Sequence, residues 1–305
     1  MANTHLNRAK KEKNDEFYTS YKDIEDELQY YQEVFKGKVV YCNCDRPCDS
    51  EFWNYFEDNF NLLGLKKLVA TYFDKSRSVW KTEIISATDD TRTVLRTKIS
   101  GNGSFQSEEC IELIRQADIV VTNPPFSLFR DYFALLIAEK KKFVIIGNQT
   151  AIGYKDIFPH ILSGEVYVAC LVPSTFKNKN LCVEQIRFSR WFTNLTPNKD
   201  KPFLELTKPY NSEEYPELDN FRAININRIK DIPCDYFDVM AVPISFMKWF
   251  NPKQFELLGI TRHYDSFAKK IFIEGGKRTF DPVLNGRHIY NRIFVKRIAN
   301  HQRAE

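Results

Sequence analysis

One tetrapeptide in this chain has residue types whose order specifies a chemistry: Asn123-Pro124-Pro125-Phe126, directly after the apolar run Ile119-Val-Val-Thr122. Two consecutive prolines fix φ and remove two N–H donors, so the carbonyls beside them are held in fixed directions. The Asn123 side-chain oxygen and the Pro124 carbonyl then form a pair of acceptors suited to one amino group. An amine conjugated to an aromatic base is a poor nucleophile, because its lone pair is delocalised into the ring. Two acceptors drawing on its hydrogens favour a tetrahedral nitrogen with the lone pair aimed at an electrophile. Phe126 adds a flat face on which an extruded base can stack. At ~5% proline, a polar-Pro-Pro-aromatic tetrad arises by chance in roughly one chain in a hundred of this length. The plainer alternative is a stiff strand-to-helix turn.

Such a loop needs a rigid support, and the surrounding pattern supplies one. Ile24, Leu28, Tyr31 and Phe35 recur three or four residues apart, which predicts an amphipathic helix over 22–35. Lys38–Cys42 and Leu65–Phe73 are β-rich runs, and Asp49 and Ser50 are N-cap residues for a helix carrying Phe52, Trp53, Phe56 and Phe60. Residues 75–104 are polar and predict a loop with one strand. Ser107 caps a helix through Ile111, Leu113 and Ile114; Asp118–Thr122 is a buried strand; Ser127 caps a helix carrying Phe129, Phe133 and Leu136; Lys142–Gly147 is the next strand. This alternation predicts an α/β fold with a doubly wound, mostly parallel sheet. Ligands of open α/β sheets bind beyond the carboxyl ends of the strands, where the tetrad lies. Glu165–Val172 and Ile186–Leu195 have no helix between them and predict a closing antiparallel hairpin. From Thr196 onward Pro and Asn interrupt the periodicity. The predicted division is a catalytic domain over 1–196 and a second region over 197–305.

The chain has 305 residues, with 43% apolar and 14% aromatic side chains, which excludes a disordered polymer. No apolar run approaches the ~18 residues of a membrane helix. The polar start, Met1 to Asp15, has no apolar run behind it and does not resemble a secretory signal. Seven Cys without such a signal predict reduced thiols and a cytoplasmic setting. Cys42, Cys44 and Cys48 are clustered, but no second ligand pair accompanies them and the five His are scattered, so no metal is expected. The net charge of +4 is unevenly placed. Residues 262–305 hold ten Lys/Arg against four Asp/Glu, a net of +6, leaving −2 for the other 261 residues. A basic carboxyl-terminal segment suits either a phosphate-facing surface or a solvated tail.

Several blocks carry a resemblance: Asp15-Glu-Phe-Tyr-Thr19, Glu27-Leu-Gln-Tyr-Tyr31, Val39-Val-Tyr-Cys-Asn-Cys-Asp45, Val120-Val-Thr-Asn-Pro-Pro-Phe-Ser127, Ala223-Ile-Asn-Ile-Asn227 with Asp231-Ile-Pro233, and Asn251-Pro-Lys-Gln-Phe-Glu-Leu257. Together they resemble the EcoRI-type adenine-specific DNA modification methyltransferases over residues 8 to about 260. The resemblance implies methyl transfer from S-adenosylmethionine to the N6 amine of a flipped adenine in double-stranded DNA. Asn123, Pro124, Pro125 and Phe126 are the implied catalytic residues. Phe17, Tyr18 and Thr19 match the motif that folds over the methionine end of the cofactor, and Asn43 and Asp45 match the loop that binds the methionine moiety. Asp74 takes the position of an acid on the ribose hydroxyls, and Ser104 and Phe105 match the adenine-binding motif. Two departures stand out. The loop Cys42–Pro47 has no glycine, where the wider superfamily has a Gly-rich turn. Ser104 stands where relatives place an Asp.

A DNA-recognition region is expected in 197–305, with action as a monomer; the type expected is either restriction-modification, with a companion restriction endonuclease that forms no stable complex with it, or solitary, of phage or bacterial kind. The same tetrad also serves enzymes acting on RNA adenine or protein glutamine, and a catalytically inactive DNA-binding relative is a further alternative.

Overall fold

The structure is a computed structural model that describes residues 18–75, 79–86, 92–173, 175–177, 183–185, 188–261, 266–273 and 280–299. The chain divides into two compact units, residues 1–148 with 166–199 and residues 149–165 with 200–305. The units divide at 199/200, and the excursion 149–165, which joins the second unit, has no counterpart in the sequence pattern.

The first unit runs β1 (Tyr18–Thr19), α1 (Tyr21–Leu28), β2 (Val39–Cys42), α2 (Glu51–Asp58), β3 (Lys67–Ala70), β4 (Trp80–Ser86), β5 (Arg92–Lys98), α3 (Glu108–Gln116), β6 (Ile119–Thr122), α4 (Phe129–Ala138) and β7 (Lys142–Asn148). After α5 (Phe158–Leu162), which belongs to the second unit, it returns as β8 (Tyr167–Val168), β9 (Thr175–Lys177), β10 (Val183–Gln185) and β11 (Ser189–Thr193). Eight strands form one sheet in the order β5-β4-β3-β2-β6-β7-β11-β8. Its centre, β3-β2-β6-β7, is parallel throughout. β4 and β5 extend one edge antiparallel; β11 and β8 extend the other. This is the α/β architecture with a parallel core that the alternation predicts, and β8 and β11 are the predicted closing pair. β1 pairs with β9 in a separate small sheet.

Three local expectations change. Residues 75–104 hold two strands, not one: β5 is exposed along its whole length, so no buried face leaves an alternating pattern to read. The first helix is α-helical only to Leu28 and then tightens to a 3₁₀ helix over Gln29–Phe35, which still buries Tyr31 and Phe35. Ser127 does not cap α4. A 3₁₀ turn over Phe126–Leu128 intervenes, closed by the Leu128 N–H on the Pro125 carbonyl at 2.9 Å.

The core is built from apolar residues of α1, the 3₁₀ helix that follows it and α2, packed on the sheet, with Ile24, Leu28, Phe35, Phe52, Phe56 and Trp191 all buried in one cluster. Gly147 of β7 seats α4: a Cβ there would lie 2.4 Å from the Phe129 ring. No helix among the described residues is long and apolar enough to cross a membrane.

The second unit holds β12 (Ile224–Asn225), β13 (Met240–Pro243), β14 (Phe255–Ile260), α6 (Ser266–Ile271), β15 (Val283–Leu284), β16 (Arg287–His288) and β17 (Arg292–Arg297). Four strands form a sheet in the order β12-β13-β17-β14, and β15 and β16 form a hairpin. The segment 262–305, expected as a basic surface or tail, contributes an internal strand to this sheet. β17 is an internal strand, paired on both sides, with Ile293, Phe294 and Val295 buried. Part of the basic charge is spent inside the fold. Arg292 is buried, the Arg297 guanidinium donates to the Cys234 carbonyl and lies 4.7 Å over the Phe237 ring, and Lys296 is 3.9 Å from Asp238.

Candidate active site

The carboxyl ends of β2 and β6 lie side by side, because these strands are parallel neighbours. Asp45 ties the two ends together. Its carboxylate accepts from the Ser50 hydroxyl at 2.6 Å and from the Thr122 hydroxyl at 2.6 Å. Thr122 in turn accepts from the Cys44 N–H at 3.2 Å. Ser50 also caps α2, accepting from the Phe52 and Trp53 N–H groups. One buried acid thus links the loop after β2, the start of α2 and the residue just before the tetrad. Burial pushes the Asp45 carboxyl up to about 6, against the hydrogen bonds from Ser50 and Thr122, which favour the ionised form. No cation pairs with Asp45 among the described residues.

These ties replace what a Gly-rich turn would do. The Asp45 N–H donates to the Thr71 carbonyl at 3.0 Å, and the Thr71 N–H to the Cys42 carbonyl at 3.2 Å. The loop is held to the extended segment after β3 without any backbone conformation that requires glycine.

Asn123 emerges from β6 half-buried, and its amide nitrogen donates to the Thr19 hydroxyl at 3.3 Å. That bond sets the orientation of the amide, leaving Oδ1 as the acceptor on the other branch. Pro124 is buried, and its carbonyl accepts no hydrogen bond among the described residues. Phe126 is half-buried, packed against the main core cluster. Thr19 is 3% exposed, so the amino-terminal motif reaches the tetrad across 104 positions of sequence. Phe17 lies outside the described residues, as does the side chain of Tyr18.

Asn43 is the feature of this loop that calls for a ligand. It is 1% exposed, yet among the described residues neither its amide nitrogen nor its amide oxygen has a hydrogen-bond partner. A buried amide left unsatisfied costs about 1–3 kcal/mol, and a bound polar group would recover it. Asp74 sits past the end of β3, partly exposed, with the Arg46 guanidinium 3.5 Å away. Arg46 also lies 4.3 Å over the Tyr72 ring. Ser104 occupies a turn: its N–H donates to Asn102 Oδ1 at 3.1 Å and its hydroxyl accepts from the Gln106 N–H at 3.3 Å. Gly103 makes this turn possible, with φ +72° and the Tyr72 carbonyl oxygen 1.9 Å from where a Cβ would stand. Phe105 is buried edge-to-face against Tyr132 at 4.9 Å, so its ring supports the turn from the core side.

The structure therefore brings together Thr19, Asp45 and Asn123 by direct contacts or one intermediary, and lines up Asn43, Asp74 and Ser104 on loops at the strand ends. Four residues that sequence reasoning did not assign to the site also matter here: Thr122, Ser50, Arg46 and Tyr132. Thr122 left a signal, as the one polar residue of an otherwise apolar strand. Cys42 is buried at the end of β2, where burial pushes its thiol up. Among the described residues no group of three or more His, Cys, Asp or Glu is placed to hold a metal ion.

The chain matches the family model described as "Adenine-specific methyltransferase EcoRI" over residues 5–298. It is 39% identical to "Type II methyltransferase M.EcoRI" of Escherichia coli, covering 95% of each chain. It is 36% identical to "Type II methyltransferase M.MgeORF184P" of Mycoplasma genitalium, over 96% of this chain and 98% of that one. It is 38% identical to "Type II methyltransferase M.MpnI" of Mycoplasma pneumoniae, over 83% of this chain and 85% of that one. No solved structure matches.

Proposed function

The chain belongs to the adenine-specific EcoRI methyltransferase family, and on that premise we propose that residues Asn123–Phe126 are where an adenine N6 amine of double-stranded DNA is methylated. The enzyme is an adenine-specific DNA methyltransferase of the Type II, restriction-modification kind. One observation carries the site assignment: the Asn123 amide is oriented by Thr19 at the end of a buried parallel strand, beside a Pro124 carbonyl that accepts no hydrogen bond among the described residues.

S-adenosylmethionine, the methyl donor of such enzymes, supplies an electrophilic sulfonium methyl when bound. The residues present fit it, because the unsatisfied buried Asn43 amide offers both a donor and an acceptor. Thr19, Asn43, Asp74 and the Ser104 turn would hold it, with Phe17 and Tyr18 added by the family resemblance. Asp45 acts through Thr122 and Ser50, keeping the cofactor loop and the tetrad in one register. The Asn123 oxygen and the Pro124 carbonyl accept the amine hydrogens and aim the nitrogen lone pair. Phe126 stacks on the flipped base. Most of the rate enhancement is then alignment of an in-line displacement. Neither acceptor is basic enough to keep a proton, so the one shed by the methylated nitrogen passes to solvent.

The second unit, with residues 197–305, is read as the DNA-recognition region. The same reading has the enzyme work as a monomer in the cytoplasm, alongside a companion restriction endonuclease that it does not bind stably. The test uses purified protein, labelled S-adenosylmethionine, and unmethylated DNA or RNA. Label is expected in DNA as N6-methyladenine, and Asn123→Ala is expected to lose nearly all of it while remaining folded. Label in RNA alone, or full activity of Asn123→Ala, would overturn the reading.

A further inference from the structure

We propose that the β15–β16 hairpin reads base edges of the target DNA, with Arg287 as its principal reader. The proposal rests on the DNA methyltransferase reading above and adds which segment selects the site. Asn285 and Gly286 at its tip have φ of +50° and +74°, the left-handed pair that a tight two-residue hairpin turn requires. The turn is tied down from below. The Asp219 carboxylate accepts from the Asn285 N–H at 3.1 Å and from the Gly286 N–H at 2.7 Å. Asn220, 2% exposed, accepts from the Val283 N–H at 3.0 Å and donates to the Asp281 carbonyl at 3.0 Å. Leu284 and Ile289 pack on the cluster that includes Phe221 and Phe294. The backbone of this hairpin is therefore tied both at its turn and at its base.

Asn285, Arg287 and His288 are exposed, Tyr290 is 91% exposed, and none of these four side chains makes a hydrogen bond or ion pair among the described residues. The fold thus fixes a backbone tightly to present side chains that do not serve the fold. Contacts to phosphates tolerate flexible side chains on mobile segments, whereas base contacts need a fixed origin. A two-stranded ribbon is narrow enough for the major groove, at about 12 Å, and Arg and Asn are the side chains that pair bidentately with guanine and adenine there. On the same small core, α6 is seated through buried Ala268 and carries exposed Lys270, a side chain of the phosphate-binding type.

The test compares full-length wild type with Arg287→Lys and Arg287→Ala. Lysine keeps the charge and loses the bidentate fork. Each protein methylates unmethylated genomic DNA, the N6-methyladenine sites are sequenced, and DNA affinity is measured against salt. Wild type is expected to mark one motif. Both variants are expected to lose discrimination at the same single position of that motif, by about tenfold to a hundredfold, and Arg287→Lys is expected to keep the wild-type salt slope. Arg287 is exposed, so the unfolding midpoint is expected to stay in place. If Arg287→Lys keeps the full motif while Arg287→Ala weakens all DNA equally, Arg287 is a phosphate contact and the proposal falls. It falls equally if neither variant changes motif or affinity. A wild type that marks no DNA overturns the underlying reading instead.

Discussion

In each unit a buried charge is held by neutral groups, Asp45 in the first and Arg292 in the second, and the two behave differently. In the first unit, the Asp45 carboxylate is held by two hydroxyls and a backbone N–H. In the second, the Arg292 guanidinium, 7% exposed, donates to Asn225 Oδ1 at 2.9 Å, to Asn227 Oδ1 at 3.3 Å and to the Tyr290 carbonyl at 3.0 Å. Burial pushes both toward their neutral forms. Neutral dipoles supply the compensation, and each such charge therefore ties together chain segments that are far apart in sequence. The difference is titration. An acid at about 6 can neutralise within a mild pH range, while a guanidinium stays charged. Asp45 makes its unit sensitive to pH, and Arg292 makes its unit a fixed scaffold, on which the exposed hairpin is presented.

The largest effect expected from this contrast is a pH dependence. The Asp45 pKa rises from 3.8 to about 6 on folding, so its contribution to stability is full below pH 3.8 and lost as pH rises through 6. The size is about 3 kcal/mol at 1.36 kcal/mol per unit. Urea unfolding of wild type and Asp45→Asn across pH 4 to 7 should show the amide gaining on the acid as pH rises. A difference independent of pH would mean that Asp45 is not buried as an acid. Next, Asp45→Ala should cut methyl transfer by about a hundredfold, as small misplacements near a reacting centre do. Wild-type kcat and KM for both substrates would refute its positioning role.

Arg292→Met should cost about 1–3 kcal/mol of unfolding free energy by leaving the buried Asn225 amide short of a partner. Cofactor affinity, measured by calorimetry, should not move. If it does, the two buried charges are not the independent devices described above. The smallest effect belongs to Thr19→Val, which removes the Asn123 partner at a neutral hydrogen bond's worth, about 0.5–1.5 kcal/mol, or roughly threefold to tenfold in kcat. Thr19→Ser should restore it. Equal activity in the valine variant would detach the amino-terminal motif from the tetrad.

Much of the site was legible in sequence because its chemistry is local. The tetrad, its buried strand and the Ser50 and Ser107 caps follow from neighbouring residues alone. The closing β8–β11 pair was legible because no helical pattern separates its strands. The β4–β5 hairpin was not, since β5 buries no face. The fate of the basic end was also hidden: a net charge of +6 does not record which arginines point inward. Asn225 and Asn227 appeared only as part of a family-like block, with Arg292 lying 65 to 67 positions away.

By itself, then, the sequence determined the α/β core through residue type and short spacing and the reaction class through its family blocks, and it singled out residues 123–126 as the loop to test. Only the tertiary structure decided that Asp45 reaches Thr122 rather than solvent, that Thr19 orients Asn123, and that Arg292 belongs to a scaffold while Arg287 faces outward. Those outcomes depend on which strands become neighbours and which side chains lose their water, and neither is encoded in the spacing of residues along the chain.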